Sequence, residues 1–443
     1  MVCKYAVCSI ISKLKYFHSY CVNITMGILR QLVFKASISY NAHLGTRCMS
    51  LLRNKAYVNG NWKTAASGKV FAITNPVNGS AIENVPDMDS NDALEAIKSA
   101  YESFSYWGET TAKERAHYLR KWYDKLIHHQ EELAKILTLE SGKPLKESLG
   151  EVNYGNSFIE WFSEEARRVR GDVIDSPMKN KEIIFIRRPI GVAALVTPWN
   201  FPMAMITRKA GAALAAGCTC VVKPAQDTPL TALALAAVAE EAGLPAGIFN
   251  VITADKGHTP QIGKLFCESP MVAGISFTGS TEVGKLLYSQ CANGVKRLSL
   301  ELGGNAPFIV FKSADLDKAI QGAMASKFRN CGQTCVSANR ILVQEDVFEE
   351  FLKGFEQEMK KQLVLGNGID SHVTIGPLIN DDQAKKVDNF VKDAVKKGAK
   401  VIVGGKKATD FGERYYEPTL IVNVDSRMIC YNEEVFGPVA TVI

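Results

Sequence analysis

Four short apolar segments alternate with helical patterns in the middle of the chain, and few folds accommodate such an alternation. The apolar segments are residues 191–196, 219–223, 248–253 and 272–277, and helical stretches such as residues 228–241 separate them. Strands and helices in this order predict a parallel sheet with helices on both faces. Such doubly wound sheets bind ligands at the carboxyl ends of their strands. We therefore predict an α/β fold with a Rossmann-type nucleotide-binding domain.

Further helices and a second α/β set flank this region. Apolar residues at three- and four-residue spacing predict helices over residues 93–104, 112–140 and 148–168. Residues 182–188 alternate like a strand and would form half of a projecting hairpin. A second α/β set begins near Pro307, with helices over residues 316–328, 347–362 and 382–397 and strands over 340–343 and 400–403. This second set also contains Cys335.

Three residue types that together can oxidise an aldehyde lie in separate motifs. Cys335 ends the run Asn330-Cys331-Gly332-Gln333-Thr334-Cys335, Glu301 opens Glu301-Leu302-Gly303-Gly304, and Asn200 lies in Thr197-Pro198-Trp199-Asn200-Phe201-Pro202. A thiolate attacks a carbonyl readily, and a fixed amide can stabilise the resulting oxyanion. That thiohemiacetal can expel hydride to a nicotinamide. A carboxylate near the sulfur can then activate the water that hydrolyses the thioester.

Two other interpretations of Cys335 stay open at this point. A single cysteine in an apolar region is usually a core residue, but Cys335 lies among Gly, Gln and Thr after a predicted helix. A cysteine hydrolase would need an activating histidine. None of the seven histidines lies in a recognisable catalytic motif. Cys331, four residues earlier, is interpreted as structural.

Six motifs in order resemble those of the aldehyde dehydrogenase superfamily. They are residues 197–203, 223–225, 277–284, 301–304, 332–335 and 434–438. The resemblance extends from about Leu51 to the last residue and is greatest to the succinate-semialdehyde dehydrogenase branch. It implies a cofactor-binding domain over residues 51–170 and 189–305, an oligomerisation hairpin over 171–188 and a catalytic domain over 306–443 that is incomplete at its C-terminal end. For a chain with a complete C-terminus, it also implies a homo-oligomer, either a tetramer or a dimer.

The resemblance also implies the residues that bind the cofactor. The turn Gly279-Ser280-Thr281-Glu282-Val283-Gly284 follows a predicted strand and opens a helix, so its amides would face a phosphate. Its spacing approaches that of a P-loop, but Leu286 replaces the Ser or Thr that binds magnesium. The other implied contacts are Thr197, Trp199, Lys223, Pro224, Ala225, Gln226, Leu302, Glu434 and Phe436.

Gln226 bears on the choice between NAD and NADP. Many NAD-preferring relatives carry Glu at this position, where its charge accepts a hydrogen bond from the ribose 2′-hydroxyl and repels a 2′-phosphate. Glutamine lacks that charge. We therefore expect NAD as the cofactor, with NADP as an alternative.

Arg208 and Arg329 flank the active-site motifs and bear on the substrate. Two guanidinium groups at a pocket mouth would bind a terminal carboxylate by charge-assisted hydrogen bonds. The resemblance to the succinate-semialdehyde branch implies that role, although each arginine could instead form only a salt bridge. We expect the oxidation of succinate semialdehyde to succinate, as in 4-aminobutyrate degradation. Another semialdehyde, such as glutarate semialdehyde, is the alternative substrate.

The charge distribution argues against a nucleic-acid partner and predicts a presequence. Residues 1–82 contain no Asp or Glu, and the first 55 residues hold eight Lys or Arg, which leaves 44 basic against 46 acidic side chains in the remainder. Such a balanced body is unsuited to nucleic-acid binding. The acid-free, basic start is typical of a mitochondrial presequence. Residues 1–50 are therefore expected to be a presequence or a disordered extension, and the location is expected to be the mitochondrial matrix.

We expect neither a membrane span nor a metal site. The uncharged run over residues 189–207 contains Pro198, Asn200 and Pro202, which suit a buried strand and an active-site loop better than a spanning helix. The eleven cysteines form no Cys-x-x-Cys pair and have no nearby histidine at metal-ligand spacing. The chain ends inside a predicted strand, where relatives in the superfamily continue. A catalytically silent, truncated chain that serves as a binding partner is therefore an alternative from another functional class.

Overall fold

The computed structural model describes residues 49–443, so the predicted presequence lies almost wholly outside the described residues. The N-terminal elements are β1 (Ala56–Val58), β2 (Asn61–Lys63), β3 (Val70–Thr74), β4 (Ala81–Pro86), α1 (Ser90–Trp107), α2 (Ala112–His128), α3 (Gln130–Ser141) and α4 (Leu145–Glu165). The strands β5 (Asp172–Asp175) and β6 (Glu182–Phe185) follow.

Strands and helices then alternate. The middle elements are β7 (Val192–Val196), α5 (Pro202–Ala215), β8 (Thr219–Lys223), α6 (Pro229–Glu241), β9 (Phe249–Val251), α7 (Thr259–Glu268), β10 (Val272–Gly279), α8 (Thr281–Cys291) and β11 (Arg297–Leu302). The last are β12 (Pro307–Val310), α9 (Leu316–Phe328), β13 (Arg340–Val343), α10 (Phe348–Gln362), α11 (Asp381–Lys396), β14 (Lys400–Val403), β15 (Thr419–Val422), α12 (Ile429–Asn432) and β16 (Val439–Thr441).

The central sheet confirms the predicted doubly wound fold. Its strand order is β11-β10-β7-β8-β9-β1-β2. The strands from β11 to β9 are parallel, and β1 and β2 complete one edge in antiparallel orientation. The chain winds from β7 through β8 and β9 on one side, and through β10 and β11 on the other. The order therefore reverses between β7 and β10, and a crevice at the carboxyl ends of such strands is a favoured ligand site.

Burial on both faces explains why these strands were recognisable in the sequence. Every residue of β8 is buried, as expected for a parallel strand that helices cover on both sides. Because β1 and β2 join this sheet, residues from both predicted parts of the cofactor-binding domain share it. Residues 51–443 form a single compact unit, so the division into domains stays a prediction.

The predicted continuous helix over residues 112–140 was wrong. The structure ends α2 at His128 and starts α3 at Gln130, with His129 at φ −97° and ψ 12° between them. At this break the Glu241 carboxylate at the end of α6 binds the Lys125 Nζ and His129 Nε2 atoms, each at 2.7 Å. These tertiary contacts hold the two helices against α6, and the helical periodicity does not reveal them.

The C-terminal part has its own core between two small sheets. One sheet pairs β12 with β13 in parallel, and the other has the order β14-β15-β16. A parallel bridge from Ile341 to Val442 links them. Buried Phe351, Phe355 and Leu420 pack in this core, and Cys331 belongs to the same cluster. The predicted bounds of α9, β13 and β14 are confirmed.

The predicted hairpin is present and projects its strands into solvent. Strands β5 and β6 pair in antiparallel register, and all their residues are exposed. Val173 is 72% exposed and Ile184 65%, which is unusual for apolar side chains. Within residues 49–443, no helix combines the length and the apolar character that crossing a bilayer requires.

Candidate active site

A cavity of about 210 Å³ lies beyond the carboxyl ends of β7 and β10, where the sheet order reverses. Its lining residues are Pro198, Trp199, Asn200, Thr278, Gly279, Ser280, Glu301, Leu302, Gly303, Cys335, Gln383, Lys386, Glu434 and Phe436. The structure thus brings the three predicted catalytic residues together with several predicted cofactor contacts. They come from segments that are up to about 240 residues apart in the chain.

The loop before Cys335 has a constrained backbone. Asn330 (φ 52°), Cys331 (φ 56°) and Gly332 (φ 71°) are consecutive residues in the left-handed region. Residues other than glycine adopt that backbone region only at an energetic cost. A Cβ atom on Gly332 would lie 2.1 Å from the Gly437 main-chain oxygen. The loop is therefore packed directly against the 434–438 motif, and only glycine fits at position 332.

Hydrogen bonds hold this loop to the Asn200 segment. The Glu147 carboxylate accepts the Asn330 main-chain N–H at 2.9 and 3.1 Å. Asn330 Nδ2 donates to the Asn200 main-chain oxygen at 2.9 Å, and Asn200 Nδ2 donates to the Gln333 oxygen at 3.0 Å. Asn200 uses one of its two amide hydrogens in this way. The second hydrogen makes no hydrogen bond to another group within residues 49–443.

A buried ion pair that the sequence analysis missed supports the same segment. Lys143 Nζ lies 2.6 Å from Glu151 Oε2 and donates to the Asn200 main-chain oxygen at 2.7 Å. Glu151 Oε1 accepts the Met203 N–H at 2.9 Å, at the start of α5. Both charged side chains are almost fully buried. The sequence feature that could have indicated this pair is Glu151, an acidic residue next to apolar Val152 in a predicted helix.

Cys335 is half-buried, and its surroundings favour the protonated form of its thiol. Burial raises the pKa of this thiol, and the carboxylates of Glu434 and Glu301 raise it further, whereas Arg208 acts in the opposite direction. A protonated thiol is a weak nucleophile. A nucleophilic role for Cys335 at neutral pH would therefore require that the thiol loses its proton or that the charges around it change.

Glu301 is paired with two cations. Its Oε2 lies 3.0 Å from Arg208 Nη1, and its Oε1 lies 3.4 Å from Lys209 Nζ. Lys209 is itself fixed by a 2.9 Å hydrogen bond from Nζ to Ser276 Oγ. Burial lowers the pKa of Lys209. Both oxygens of the predicted general base thus have charged partners.

The two predicted substrate arginines lie on one aromatic cluster. The Arg208 guanidinium donates to Tyr154 Oη at 3.1 Å and lies over the Phe158 ring at 5.0 Å. The Arg329 guanidinium lies 4.7 Å from the centre of the Phe201 ring. Phe158 packs against the cluster that contains Phe201. Arg329, Tyr154 and Phe201 line a second, larger cavity of about 690 Å³.

The edge of the sheet contains polar groups without partners, which fits a ribose and a pyrophosphate. Lys223 is buried, and its ammonium makes no hydrogen bond within residues 49–443; burial lowers its pKa to about 8. The buried Oγ1 atoms of Thr197 and Thr278 also lack partners there. Ribose hydroxyls can satisfy such groups, since buried polar atoms are normally hydrogen-bonded.

The remaining predicted cofactor residues lie around the same edge. Ser280 is the N-cap of α8, and Thr281, Glu282, Val283 and Gly284 form its first turn. Pro224, Ala225 and Gln226 follow β8, and Gln226 lines a cavity of about 230 Å³ next to Asp227. Lys223 ends β8 and the amino end of α8 follows β10, so both lie at the carboxyl edge of the parallel strands. A helix N-terminus favours phosphate.

Two residues of α11 were missed by the sequence analysis. Gln383 Nε2 donates to the Phe436 oxygen at 2.6 Å. Lys386 lines the cavity beside Glu434, and burial raises the pKa of Glu434 while Lys386 opposes that shift. These residues position the 434–438 motif from a distant helix. A polar stripe on a helix is too common for the sequence to have singled them out.

One group of side chains within residues 49–443 has the composition of a metal site, and it comprises Asp87, Asp255 and His258. Asp87 Oδ1 lies 2.9 Å from His258 Nδ1 and accepts the Asp255 N–H at 3.0 Å. The hydrogen bond to Asp87 raises the pKa of His258. The group joins the segment after β4 to the segment after β9, and none of the three residues lines the cavity of Cys335.

Comparisons with known proteins agree on one family. Residues 62–443 match the model of the aldehyde dehydrogenase family. The human mitochondrial succinate-semialdehyde dehydrogenase is 52% identical over 404 residues, which are 91% of this chain and 75% of the human protein. The succinate-semialdehyde dehydrogenase (NADP(+)) of Escherichia coli is 51% identical over 391 residues, which are 88% of this chain and 80% of that protein.

Solved structures give the same result. A succinate-semialdehyde dehydrogenase from Burkholderia pseudomallei superposes with a TM-score of 0.87 at 48% identity, over 89% of this chain and 81% of that one. A betaine aldehyde dehydrogenase from Staphylococcus aureus, solved in complex with NAD+, superposes with a TM-score of 0.85 at 35% identity, over 89% of this chain and 79% of that one.

Proposed function

The chain belongs to the aldehyde dehydrogenase family, and from this premise we propose that it oxidises succinate semialdehyde to succinate with NAD(P)+. The observation that carries the proposal is the shared cavity of Cys335, Glu301 and Asn200, with Arg208 paired to Glu301 and Arg329 lying over the Phe201 ring. Similarity to succinate-semialdehyde dehydrogenases of human and bacterial origin supports the same substrate.

Cys335 is the nucleophile in this proposal. The Cys335 thiol loses its proton to solvent, and the thiolate sulfur bonds to the aldehyde carbon. The carbon–oxygen π bond breaks and its electron pair stays on oxygen, which gives the oxyanion of a thiohemiacetal. The oxyanion accepts the Asn200 amide hydrogen that Gln333 does not use. When bound, NAD(P)+ supplies the hydride acceptor, so the carbon attached to Cys335 becomes a thioester.

Glu301 completes the cycle as the general base. It lines the cavity of Cys335, so a water molecule between the two side chains can lose a proton to the carboxylate while it attacks the thioester. The carbon–sulfur bond breaks, the acid product is released, and Cys335 is regenerated. A carboxylate in this position favours hydrolysis over transfer of the acyl group to another thiol.

Cofactor binding is assigned to the residues around the sheet edge. Lys223 would bind ribose hydroxyls, and the amino end of α8 with Ser280 would bind the pyrophosphate. Glu434 and Phe436 would hold the nicotinamide ribose and ring. Gln226 carries no charge that would repel a 2′-phosphate, which supports use of NADP as well as NAD.

The two arginines are proposed to select an aldehyde with a distant carboxylate. Arg208 and Arg329 lie on the aromatic cluster of Phe158 and Phe201, where a short apolar chain can pack between them and Cys335. A bidentate guanidinium contact with a carboxylate is strong and directional. Glutarate semialdehyde, one methylene longer, is the alternative that the same groups would accept.

The test is NAD(P)H formation with succinate semialdehyde, glutarate semialdehyde and butanal. Butanal has the same carbon count as succinate semialdehyde and lacks the carboxylate. We expect kcat/KM for succinate semialdehyde to exceed that for butanal by at least about a hundredfold. This ratio corresponds to about 2.7 kcal/mol of transition-state stabilisation, which we assign to the charge-assisted hydrogen bonds between the arginines and the substrate carboxylate. Equal values for the two substrates would refute the substrate proposal.

We further propose an assembly and a location. The exposed apolar strands β5 and β6 suit pairing with a second copy of the chain, so residues 171–188 would act as an oligomerisation hairpin. The acid-free start supports a mitochondrial presequence. Light scattering on purified protein tests the first proposal. Fluorescence microscopy of residues 1–50 fused to a reporter tests the second.

A further inference from the structure

The general base and one substrate-binding arginine are paired with each other. Arg208 Nη1 lies 3.0 Å from Glu301 Oε2, while Lys209 Nζ lies 3.4 Å from Oε1. A guanidinium that is paired with a carboxylate oxygen occupies one of its lone-pair sites and fixes the direction of the carboxylate. In the structure, both oxygens of Glu301 are engaged by cations in this way.

We propose that the carboxylate of the substrate displaces Glu301 from Arg208 and thereby releases the base for thioester hydrolysis. This inference rests on the proposed function, because it assigns a second role to the same arginine. The acid group of the substrate is then both a recognition element and an activator of the enzyme's own deacylation step.

The environment of each cation favours this exchange of partners. The Arg208 and Glu301 side chains are 22% and 39% exposed, so a pair between them is partly solvated and is weaker than a buried pair. Lys209 is only 3% exposed and is anchored to Ser276 Oγ at 2.9 Å. Arg208 can therefore change partner while Lys209 continues to hold Oε1.

Arg208 also has a surface on which to move. Its guanidinium lies over the rings of Tyr154 and Phe158, at 5.6 and 5.0 Å from their centres. A guanidinium is attracted to an aromatic face within about 6 Å of the ring centre, so a small displacement toward either ring keeps such a contact. A substrate carboxylate on the aromatic side can therefore draw Arg208 away from Glu301 without leaving the guanidinium unsupported.

The hydrolytic step follows once Oε2 is free. The oxygen of a water molecule bonds to the acyl carbon, and one water proton passes to Oε2 of Glu301. The carbon–sulfur bond breaks, the sulfur leaves as the thiolate of Cys335, and the product is a carboxylic acid that ionises in solvent. The proton on Glu301 returns to solvent, and Arg208 can pair with Glu301 again after the product leaves.

A neutral aldehyde lacks the group that would displace Glu301. With butanal, acylation of Cys335 should proceed, but Glu301 should stay paired with Arg208 and the thioester should persist. The acyl-enzyme is therefore expected to accumulate with butanal and not with succinate semialdehyde. Removing the Arg208 guanidinium should free Glu301 and make deacylation of the butanal adduct faster.

The experiment measures the acylated fraction of Cys335 by mass spectrometry of acid-quenched, full-length enzyme during turnover, together with steady-state rates. For Arg208→Gln we expect the butyryl fraction to fall at least threefold and butanal turnover to rise, while KM for succinate semialdehyde rises at least tenfold. Arg329→Gln should also raise that KM, but it should not relieve the butyryl accumulation, because Arg329 has no contact with Glu301. Arg120→Gln, which removes an exposed surface ion pair, is the matched control.

A second measurement works on the unchanged enzyme. Acetaldehyde and acetate together supply the aldehyde and the carboxylate as separate molecules. Added acetate should increase acetaldehyde turnover in wild type at least twofold and should have no such effect on Arg208→Gln. A merely structural role of Arg208 predicts neither this activation nor a faster butanal reaction in the variant.

The outcomes separate this inference from the proposed function. If wild type prefers succinate semialdehyde but shows no butyryl accumulation and no acetate activation, the exchange of partners is refuted and the substrate proposal stands. If wild type shows no preference for the acid aldehyde at all, the substrate proposal fails first.

Discussion

Lys143 and Glu151 form an ion pair at 2.6 Å in the interior, and Lys143 also holds the main-chain oxygen of Asn200. Removing one partner of such a pair leaves a buried charge without compensation. We expect Lys143→Met to lower the free energy of unfolding by about 3–5 kcal/mol, measured by urea denaturation. The matched control is Lys264→Met, which breaks an exposed pair with Glu268 and should cost less than about 1 kcal/mol. Equal losses in the two variants would contradict the assignment of a buried structural pair.

Gly332 is expected to tolerate no side chain. A Cβ atom there would lie 2.1 Å from the Gly437 oxygen, and the backbone has φ 71°. Gly332→Ala must therefore shift the loop that carries Cys335, with a cost of at least about 2 kcal/mol and a large loss of activity. In α9, Gly322→Ala meets only ordinary contacts from Phe308 at 3.5 Å and should be neutral or stabilising by about 0.5–1 kcal/mol. Thermal melting and turnover of both variants check this expectation.

The fold could be predicted from the sequence because it is defined by two local patterns, namely continuous apolar runs for the strands and apolar periodicity for the helices. Strand β8 is a continuous apolar run as a consequence of burial on both faces, and the bounds of α9 follow from its periodicity. The break at His129 could not be predicted, since it depends on contacts with Glu241, which is more than one hundred positions away. Local pattern carries no information about such a partner.

The sequence predicted a site residue only where that residue type is unusual among its neighbours in the chain. Cys335 and Glu301 stand in glycine-rich motifs, and their common cavity is consistent with the chemistry expected of them. Lys143 and Gln383 act through the main-chain oxygens of Asn200 and Phe436, so their roles depend on tertiary geometry. The pairing of Arg208 with Glu301 was likewise invisible, because the sequence cannot tell which of several charges an arginine meets.

Glu301→Gln should separate acylation from hydrolysis. Glutamine keeps the shape of the side chain and cannot take a proton from water, so one equivalent of NADH per active site should still form rapidly. Steady-state turnover should then fall by about 10²–10⁴-fold, which is the usual contribution of a general base. Stopped-flow absorbance of NADH measures both phases. Unchanged steady-state turnover would show that another group activates the water.

Glu434 should control the reactivity of Cys335 toward alkylating reagents. Burial and the nearby carboxylates raise the pKa of this thiol, and only the thiolate reacts with iodoacetamide. In enzyme without cofactor, the rate should therefore increase with pH up to a midpoint above that of an ordinary cysteine. Glu434→Gln removes one negative charge and should move that midpoint to lower pH. Peptide-level mass spectrometry follows Cys335 specifically.

A midpoint that does not move would exclude Glu434 as a cause of the raised pKa. The control variant is Glu413→Gln, at a highly exposed site.

Gln226 should allow NADP to bind, and a negative charge at this position should oppose it. The residue follows β8 beside Lys223, where the ribose of the adenosine half is proposed to bind. In Gln226→Glu the carboxylate would repel a 2′-phosphate and could accept a hydrogen bond from a free 2′-hydroxyl. We expect kcat/KM for NADP to fall on the order of tenfold, equivalent to about 1.4 kcal/mol, with little change or a gain for NAD.

The comparison needs both cofactors at a fixed, saturating concentration of succinate semialdehyde. Because Asp227 already lies next to this position, an equal loss for both cofactors would mean that added charge disturbs the local fold, and Gln226→Met then provides the uncharged test of the same side chain.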